Sequence, residues 1–113
     1  MTQLSKIQKS VDELITQFGG YFDEMTNLGM LTEEVGEVAR LINRTYGQQS
    51  FKTGEKPECT KSAIADELAD VIFIATCLAN QMDIDLDAAF KLNLDKKLGR
   101  DTERHAANPN LNS

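Results

Sequence analysis

Two pairs of carboxylates occur at helical spacing in this chain, each within a run of apolar residues. Glu34 and Glu37 stand three positions apart, and so do Glu67 and Asp70. On a helix that turns by about 100° per residue, each pair falls at the edge of the apolar stripe rather than on the opposite, solvated face. Four clustered, half-buried carboxylates repel one another and lose hydration, and a hard cation relieves both penalties. The pattern therefore predicts a metal site between two helices.

The ligand atoms of these side chains indicate the kind of metal. A set made only of carboxylate oxygens favours Mg²⁺, with Mn²⁺ as a second possibility. Di-iron helical bundles use Glu-x-x-His motifs instead. The single histidine of this chain, His105, follows the last long apolar run and is expected at the surface. Because Mg²⁺ commonly bridges protein carboxylates to phosphate groups, the predicted substrate is a polyphosphate ester.

A second interpretation of the carboxylates stays open at this level. A single Glu-x-x-Glu or Glu-x-x-Asp pair is common on a solvated helix, and these acids could instead be structural partners of Arg40, Arg44 or Lys61. Covalent catalysis by a serine or cysteine is not predicted. The chain has no Gly-x-Ser-x-Gly motif and no phosphate-binding glycine loop, and neither cysteine has a histidine nearby.

The composition excludes several other functions. The chain has 113 residues, with 12 basic against 18 acidic side chains and a formal net charge of −6. Nucleic-acid binding is not expected, because no excess of Lys and Arg is available to replace the counterions of a phosphate backbone. The N-terminus shows no apolar signal segment, and no window has the length and apolar character of a membrane span. We therefore expect a cytoplasmic protein with no membrane partner.

Four helices are predicted to position the carboxylates, because apolar residues recur at helical spacing in four segments. The predicted bounds are residues 4–18, about 24–46, 60 or 62 to about 81, and about 86–98. Asp23 is expected to cap the second helix, and Gly47 and Gly99 are expected to end the second and the fourth. No strand is predicted, so the fold class is all-α. Residues 1–105 should form one domain, followed by a flexible tail at residues 106–113.

The third predicted helix is apolar on more than one side between Val71 and Leu78. A single layer of four helices cannot bury that much apolar surface, so we expect dimerisation through this helix to complete the core. Within the same segment, Cys77 is expected to be a buried free thiol. Cys59 lies in the polar connection before the helix and is expected to be exposed and without a role.

The carboxylate pairs lie in longer stretches that resemble the MazG-like nucleotide pyrophosphohydrolases. Residues 31–38 read Leu-Thr-Glu-Glu-Val-Gly-Glu-Val and residues 66–71 read Asp-Glu-Leu-Ala-Asp-Val, which is similar to the EExxE…ExxD signature of that all-α family. Residues 20–22, 77–86 and 100–104 also match. The resemblance covers about residues 10–105 and is strongest for the small, single-domain YpjD-like branch.

The resemblance implies a fold, a reaction and an assembly. The fold would be a four-helix MazG-like bundle completed by dimerisation, as a homodimer or homotetramer. The reaction would be Mg²⁺-dependent hydrolysis of a nucleoside or deoxynucleoside triphosphate to the monophosphate and pyrophosphate, with water attacking the α-phosphorus. Such an enzyme would serve nucleotide house-cleaning or pool regulation. The alternative is a helical interaction module that has kept the fold and lost the activity.

The resemblance also implies roles for individual residues. Glu34, Glu37, Glu67 and Asp70 would hold Mg²⁺, and Glu33 would support them or act as the base for the attacking water.

Four further residues are candidates for contacts with the substrate. Lys96 and Arg100 are similar to basic residues that contact phosphates in relatives, although Leu98 stands where many relatives have asparagine. Tyr21 and Phe22, which follow a double glycine, either anchor a tight turn or contact the nucleotide base.

Overall fold

The structure is a computed structural model that describes residues 3–112, without the side chains of residues 100–103, 105, 111 and 112. Its elements are α1 (Gln3–Gln17), α2 (Glu24–Tyr46), α3 (Thr60–Gln81), α4 (Leu86–Ala106) and the one-turn helix α5 (Pro109–Asn112). No strand is present among the described residues, and the predicted all-α class is confirmed. Within the same residues, no helix is both long enough and apolar enough to cross a bilayer.

The bounds of α2 agree with the prediction because both ends carry strong local signals. At its start, Asp23 Oδ1 accepts a hydrogen bond of 2.8 Å from the Thr26 amide. This contact satisfies one of the amides that a helix leaves unpaired in its first turn. At its end, the Gly47 amide donates to Asn43 O at 2.8 Å. A Cβ at Gly47 would lie 2.5 Å from the same oxygen, so the chain can leave the helix along this path only with glycine.

The predicted end of α4 is wrong. Gly99 does not terminate the helix, which continues to Ala106. Glycine weakens a helix interior by about 1 kcal/mol relative to alanine, but it ends a helix only where the following residues leave it. No proline follows until Pro109, which starts α5. Part of the segment predicted as a tail is thus helical, and its flexibility stays a prediction.

The two cysteines occupy different environments. Cys77 is buried, as predicted, and burial raises the pKa of its thiol. Cys59 is exposed, but the expectation that it has no role is wrong, because it caps α3. Its Sγ lies 3.2 Å from the Ser62 hydroxyl and 3.5 Å from the Ser62 amide. These contacts, the hydroxyl first, lower the pKa of the Cys59 thiol.

Helices α2 and α3 form an antiparallel hairpin, which is the centre of the fold. Near the beginning of α2, the buried Asn27 donates from Nδ2 to Oε1 of Gln81, at the end of α3, over 2.7 Å. Between the two helices, Leu41 and Ile74 are buried and supply apolar core. The middle of α2 therefore lies beside the middle of α3, which is where both carboxylate pairs occur in the sequence.

A polar network attaches α1 and the turn after it to the end of α3. Asn80 Nδ2 donates to Gln8 O at 3.0 Å and to the Tyr21 hydroxyl at 2.9 Å, while Gln8 Nε2 donates back to Asn80 Oδ1 at 2.9 Å. The Tyr21 hydroxyl donates to Asp12 Oδ1 at 2.7 Å. Burial, and then the hydrogen bond with Asp12, raise the pKa of Tyr21 to about 12. The network fixes the turn through the hydroxyl of Tyr21.

The single chain is open rather than compact. Its radius of gyration is 17.9 Å, whereas a compact chain of this length has a radius of about 13 Å. Helix α4 packs on α1 and α5, and it leaves Phe90, Leu94 and Leu98 exposed.

The polar network makes a testable contribution to stability. Asn80→Ala should lower the free energy of unfolding by about 2 kcal/mol, because it removes three half-buried hydrogen bonds, two with Gln8 and one with Tyr21. Tyr21→Phe should cost about 1 kcal/mol, since one hydroxyl is removed. Because Asn80 and Tyr21 contact each other, the double variant should lose less than the sum of the two. Urea denaturation of these variants, with exposed Ser10→Ala as the control, measures this coupling. Additive losses would show that the two side chains act independently.

Candidate active site

Three of the four predicted metal ligands meet between α2 and α3. Glu34 comes from α2, and Glu67 and Asp70 come from α3. One carboxylate oxygen from each lies within 4.8 Å of the others, and all three side chains are half-buried. The i, i+3 spacing puts Glu67 and Asp70 on neighbouring turns of α3, and the antiparallel pairing brings Glu34 against them. We call this group the carboxylate cluster.

Ionising all of the carboxylates in the cluster costs free energy, and this cost is seen in the pKa of one of them. The pKa of Glu34 is raised from the usual 4.5 to about 7. The main cause is a hydrogen bond with Glu67 that needs a proton on the pair, followed by desolvation and by repulsion from Glu67, Asp70 and Glu37. Like charges held close together, with partial loss of water, favour the protonated form. The cluster therefore retains a proton at a pH where an isolated carboxylate has lost it.

A polar atom without a partner supports a cation at this position. Glu67 Oε2 is buried and has no hydrogen-bond partner among the residues that the structure describes. A buried carboxylate oxygen normally has a donor or a metal beside it, because an unpaired one costs the full desolvation penalty. Neither Glu34 nor Asp70 nor Glu67 forms an ion pair with any residue in the described part of the chain. The donor set is all oxygen, and it fits a hard divalent cation.

The fourth predicted ligand, Glu37, is placed differently. It is exposed, and its Oε2 accepts from Arg40 Nε at 3.2 Å and from Arg40 Nη2 at 3.0 Å. It lies outside the carboxylate cluster but is near enough to help raise the pKa of Glu34. The alternative of a structural ion pair thus describes Glu37 and Arg40, and it does not describe the other three acids. Glu33 is also exposed and lies outside the cluster.

Comparison with known proteins identifies the family. Residues 22–105 match the MazG nucleotide pyrophosphohydrolase domain. The chain belongs to the MazG family. It is 38% identical over 102 residues to the uncharacterized protein YpjD of Bacillus subtilis (strain 168), a match that covers 89% of this chain and 88% of that protein. The resemblance seen in the sequence is confirmed.

Two solved structures share the fold. The crystal structure of YPJD from Bacillus subtilis superposes with a TM-score of 0.72 at 37% identity, over 85% of this chain and 95% of that one. The crystal structure of the Bacillus-conserved MazG protein, a nucleotide pyrophosphohydrolase, gives 0.72 at 36% identity, over 91% and 97%. The family and these neighbours support a hydrolase.

The aromatic turn borders an apolar pocket of about 310 Å³ beside the carboxylate cluster. Tyr21 and Phe22 line it, together with Met30 of α2 and Phe73 of α3. Met30 precedes Glu34 by four residues, which is about 6 Å along the helix. The Tyr21 hydroxyl is held by Asp12 and Asn80, whereas the Phe22 side chain is 63% exposed. Of the two predicted aromatic contacts, Phe22 is therefore the one available to a ligand.

Of the two predicted phosphate contacts on α4, Lys96 is not brought to the carboxylate cluster within one chain. Lys96 is exposed on α4, which packs on α1 and α5 rather than on the α2–α3 hairpin. The side chain of Arg100 lies outside the described residues, as does that of His105. Sequence reasoning missed the buried Asn27, which lines the apolar pocket. The sequence feature that could have identified Asn27 is a polar residue on the apolar stripe of α2, seven positions before Glu34.

The pKa of Glu34 gives the apo protein a characteristic dependence of stability on pH. The folded protein keeps a proton on this carboxylate up to about pH 7, whereas the unfolded chain releases it near the usual 4.5. The stabilisation is therefore complete below pH 4.5 and is lost as the pH rises to about 7. In EDTA, the melting temperature of the wild type should fall across this window relative to that of Glu34→Gln. Above pH 7, the amide variant should melt at or above the wild type.

The matched control is Glu13→Gln, which removes an exposed carboxylate from α1 and should keep the fall seen in the wild type. Parallel melting curves for Glu34→Gln and the wild type from pH 4.5 to 8 would contradict the raised pKa. Cation binding must displace the same proton, so the affinity for Mg²⁺ measured by calorimetry should rise over the same window.

Proposed function

We propose that this protein is a Mg²⁺-dependent hydrolase that converts nucleoside or deoxynucleoside triphosphates to the monophosphate and pyrophosphate. The observation that carries the proposal is the convergence of Glu34, Glu67 and Asp70 around a buried carboxylate oxygen that has no partner. Membership of the MazG family supports the reaction class. A house-cleaning or pool-regulating role follows from that reaction.

Glu34, Glu67 and Asp70 would hold the Mg²⁺, with Glu37 as a fourth ligand once its carboxylate leaves Arg40. Bound Mg²⁺ neutralises the charge of the triphosphate and polarises its phosphorus–oxygen bonds. Mn²⁺ offers the same oxygen-preferring chemistry in a similar geometry.

Glu33 would act as the base at the α-phosphorus. It accepts a proton from the attacking water as the new oxygen–phosphorus bond forms, the bond to the bridging oxygen of the β-phosphate breaks, and pyrophosphate leaves with the electron pair. Glu33 is turned by about 100° from Glu34 on α2, toward the side that carries Glu37. Glu33 would therefore approach an attacking water from the exposed side of α2, outside the carboxylate cluster.

The apolar pocket provides a place for the base of the nucleotide. Its position one helical turn from Glu34 suits a base whose α-phosphate lies at the carboxylate cluster. Phe22 would stack on the base, and Tyr21 would hold the turn that presents it, through its hydrogen bonds to Asp12 and Asn80. Aromatic side chains stack on all bases, so this contact would contribute more to the affinity for the nucleotide than to selectivity among bases.

Pyrophosphate release with a panel of nucleoside and deoxynucleoside triphosphates tests the proposal. Mg²⁺ or Mn²⁺ should support turnover, EDTA should abolish it, and Ca²⁺ should support it poorly because its coordination is larger and looser.

Glu67→Gln and Asp70→Asn should each lower kcat by on the order of 100-fold or more, since each removes charge from the site that organises the phosphates. Ser10→Ala, on the exposed side of α1, should retain full activity. Turnover of no nucleotide with either metal would favour an inactive interaction module, and undiminished turnover in EDTA would refute the metal.

We also propose that the protein functions as a homodimer or homotetramer, because one face of the α2–α3 hairpin is apolar and uncovered. Leu28, Val35 and Ile42 follow one another at intervals of seven residues on α2, and all are exposed. Val35 comes directly after Glu34, and on α3 the exposed Leu68 comes directly after Glu67. When two antiparallel helices face each other through Glu34 and Glu67, the residues that directly follow these two glutamates lie on the same side of the helix pair.

The apolar face is large enough to need a partner. Ile72, which is 54% exposed, extends it along α3. Contiguous apolar surface on two long helices is typical of a contact between subunits. The open shape of the chain supports the same proposal, since a second copy could also cover the exposed apolar side of α4. Lys96 and Arg100 could then reach the carboxylate cluster of a partner.

Placing a charge in the apolar face should dissociate the assembly. Val35→Glu and Ile72→Glu should sediment as monomers, because burying an unpaired carboxylate in the interface costs more than the apolar contact returns. Thr16→Glu, an exposed position on α1, should behave as the wild type does. Sedimentation velocity at micromolar concentration in Mg²⁺ measures the effect. A wild type that is monomeric under these conditions would disprove the dimer.

A further inference from the structure

A second cavity, of about 390 Å³, begins at Glu37 and lies farther along α2, on the side of the carboxylate cluster away from the apolar pocket. It is lined by Glu37, Arg40, Arg44, Lys52 and Glu55. Three of these side chains are cations in a protein whose net charge is −6. Cations gathered around a cavity in an acidic protein indicate a site for an anion. We call it the cationic cavity.

The cationic cavity lies in line with the apolar pocket and the carboxylate cluster. Met30, Glu37 and Arg44 are spaced by seven residues, so they lie within about 40° of one another on α2, about 10 Å apart in successive steps. Met30 lines the apolar pocket, Glu37 lies beside the carboxylate cluster, and Arg44 lines the cationic cavity. A molecule along this edge of α2 would thus meet an apolar wall, then carboxylates, then cations.

Lys52 belongs to the connection between α2 and α3, which folds back beside the end of α2. A turn holds it there, with the Glu55 amide donating to Lys52 O at 3.0 Å. The turn requires a left-handed residue, which Gly54 supplies with a φ of +83°. The chain leaves α2 by a path that depends on the close approach of Gly47 to Asn43. This path sets the direction of the connection between α2 and α3. The cavity is therefore built by local backbone geometry.

The cations of the cavity are not all engaged within the protein. Arg40 is paired with Glu37, but Arg44 and Lys52 form no ion pair with any described residue. Arg44 also lies in the last turn of α2, where a cation favourably meets the negative end of the helix dipole. Glu55 is the opposing charge, because its carboxylate would repel an anion placed between Arg44 and Lys52.

We propose that Arg44 and Lys52 bind the β- and γ-phosphates of the substrate, the pair that leaves as pyrophosphate. The inference rests on the proposed function, and it fixes the direction in which the nucleotide lies along α2. The base occupies the apolar pocket, the α-phosphate lies at the carboxylate cluster, and the remaining two phosphates lie in the cationic cavity. A fork of guanidinium donors and a lysine ammonium are the groups that hold phosphates of this kind. The same contacts favour a triphosphate over a diphosphate or monophosphate.

Binding of pyrophosphate, measured by calorimetry in the presence of Mg²⁺, tests the inference without turnover. Arg44→Gln and Lys52→Gln should each weaken pyrophosphate binding by about tenfold, since each removes one charged contact. Glu55→Gln should strengthen it, because a repelling carboxylate is removed. Lys6→Gln deletes the same unit of charge from the exposed surface of α1 and should leave it unchanged. Binding of Mg²⁺ alone and of a nucleoside monophosphate should be unchanged in all four variants.

The outcomes separate this inference from the proposed function. If the wild type hydrolyses triphosphates while Arg44→Gln and Lys52→Gln bind pyrophosphate as tightly as the wild type, the cationic cavity is not the leaving-group site and the function stands. If Lys6→Gln weakens binding as much as Lys52→Gln does, the effect is one of net charge and the inference is wrong. Lys52 is in an exposed connection, so Lys52→Gln tests the site even if a change at Arg44 disturbs α2. If the wild type hydrolyses no triphosphate, the proposed function is wrong, and the inference that rests on it is wrong as well.

Discussion

The repulsion among Glu34, Glu67 and Asp70 is the constraint on which the rest of this structure depends. Three carboxylates with an oxygen each inside a 4.8 Å group would separate if their helices were free to move. The hairpin holds them together through apolar contacts between α2 and α3 and through the hydrogen bond from Asn27 to Gln81 at one end. The remaining cost is visible in the proton kept by Glu34 and in the unpaired oxygen of Glu67. Both features support the proposal that a divalent cation binds between α2 and α3.

The same helical geometry gives the α2–α3 hairpin two faces with different chemistry. Residues that follow the facing glutamates, such as Val35 and Leu68, form an apolar side, whereas residues near Glu37 form a polar side. The groups proposed to bind the phosphates are therefore separated from the apolar surface by the width of a helix. Association through the apolar side would leave the polar side open to a nucleotide, so assembly and substrate binding need not compete.

The features that were predictable from sequence are those that local periodicity determines. The bounds of α2 follow from the Asp23 cap and from Gly47, and the carboxylate pairs follow from i, i+3 spacing beside an apolar stripe. The end of α4 was mispredicted because Gly99 is compatible with both a helix interior and a helix end. The contacts of Asn80 with Gln8 and Tyr21 could not be foreseen, since they join residues 59 or more positions apart. No local signal specifies which distant side chains will pair.

The placement of Glu37 shows why the predicted four-carboxylate set contains three close members and one apart. A fourth full charge inside the cluster would add to the repulsion that already raises the pKa of Glu34, and Glu37 contributes to that shift even from outside. Arg40 neutralises Glu37 through two donors on one oxygen, at 3.0 and 3.2 Å, and so limits its effect on the cluster. The pair is exposed, and exposed ion pairs of this kind contribute at most about 1 kcal/mol. In the proposed metal-bound protein, the cation would be a stronger partner for Glu37 than Arg40 is, and the release of Arg40 would add a cation to the cavity beside it. The weak pair would thus let one carboxylate serve the apo fold and the proposed metal site in turn.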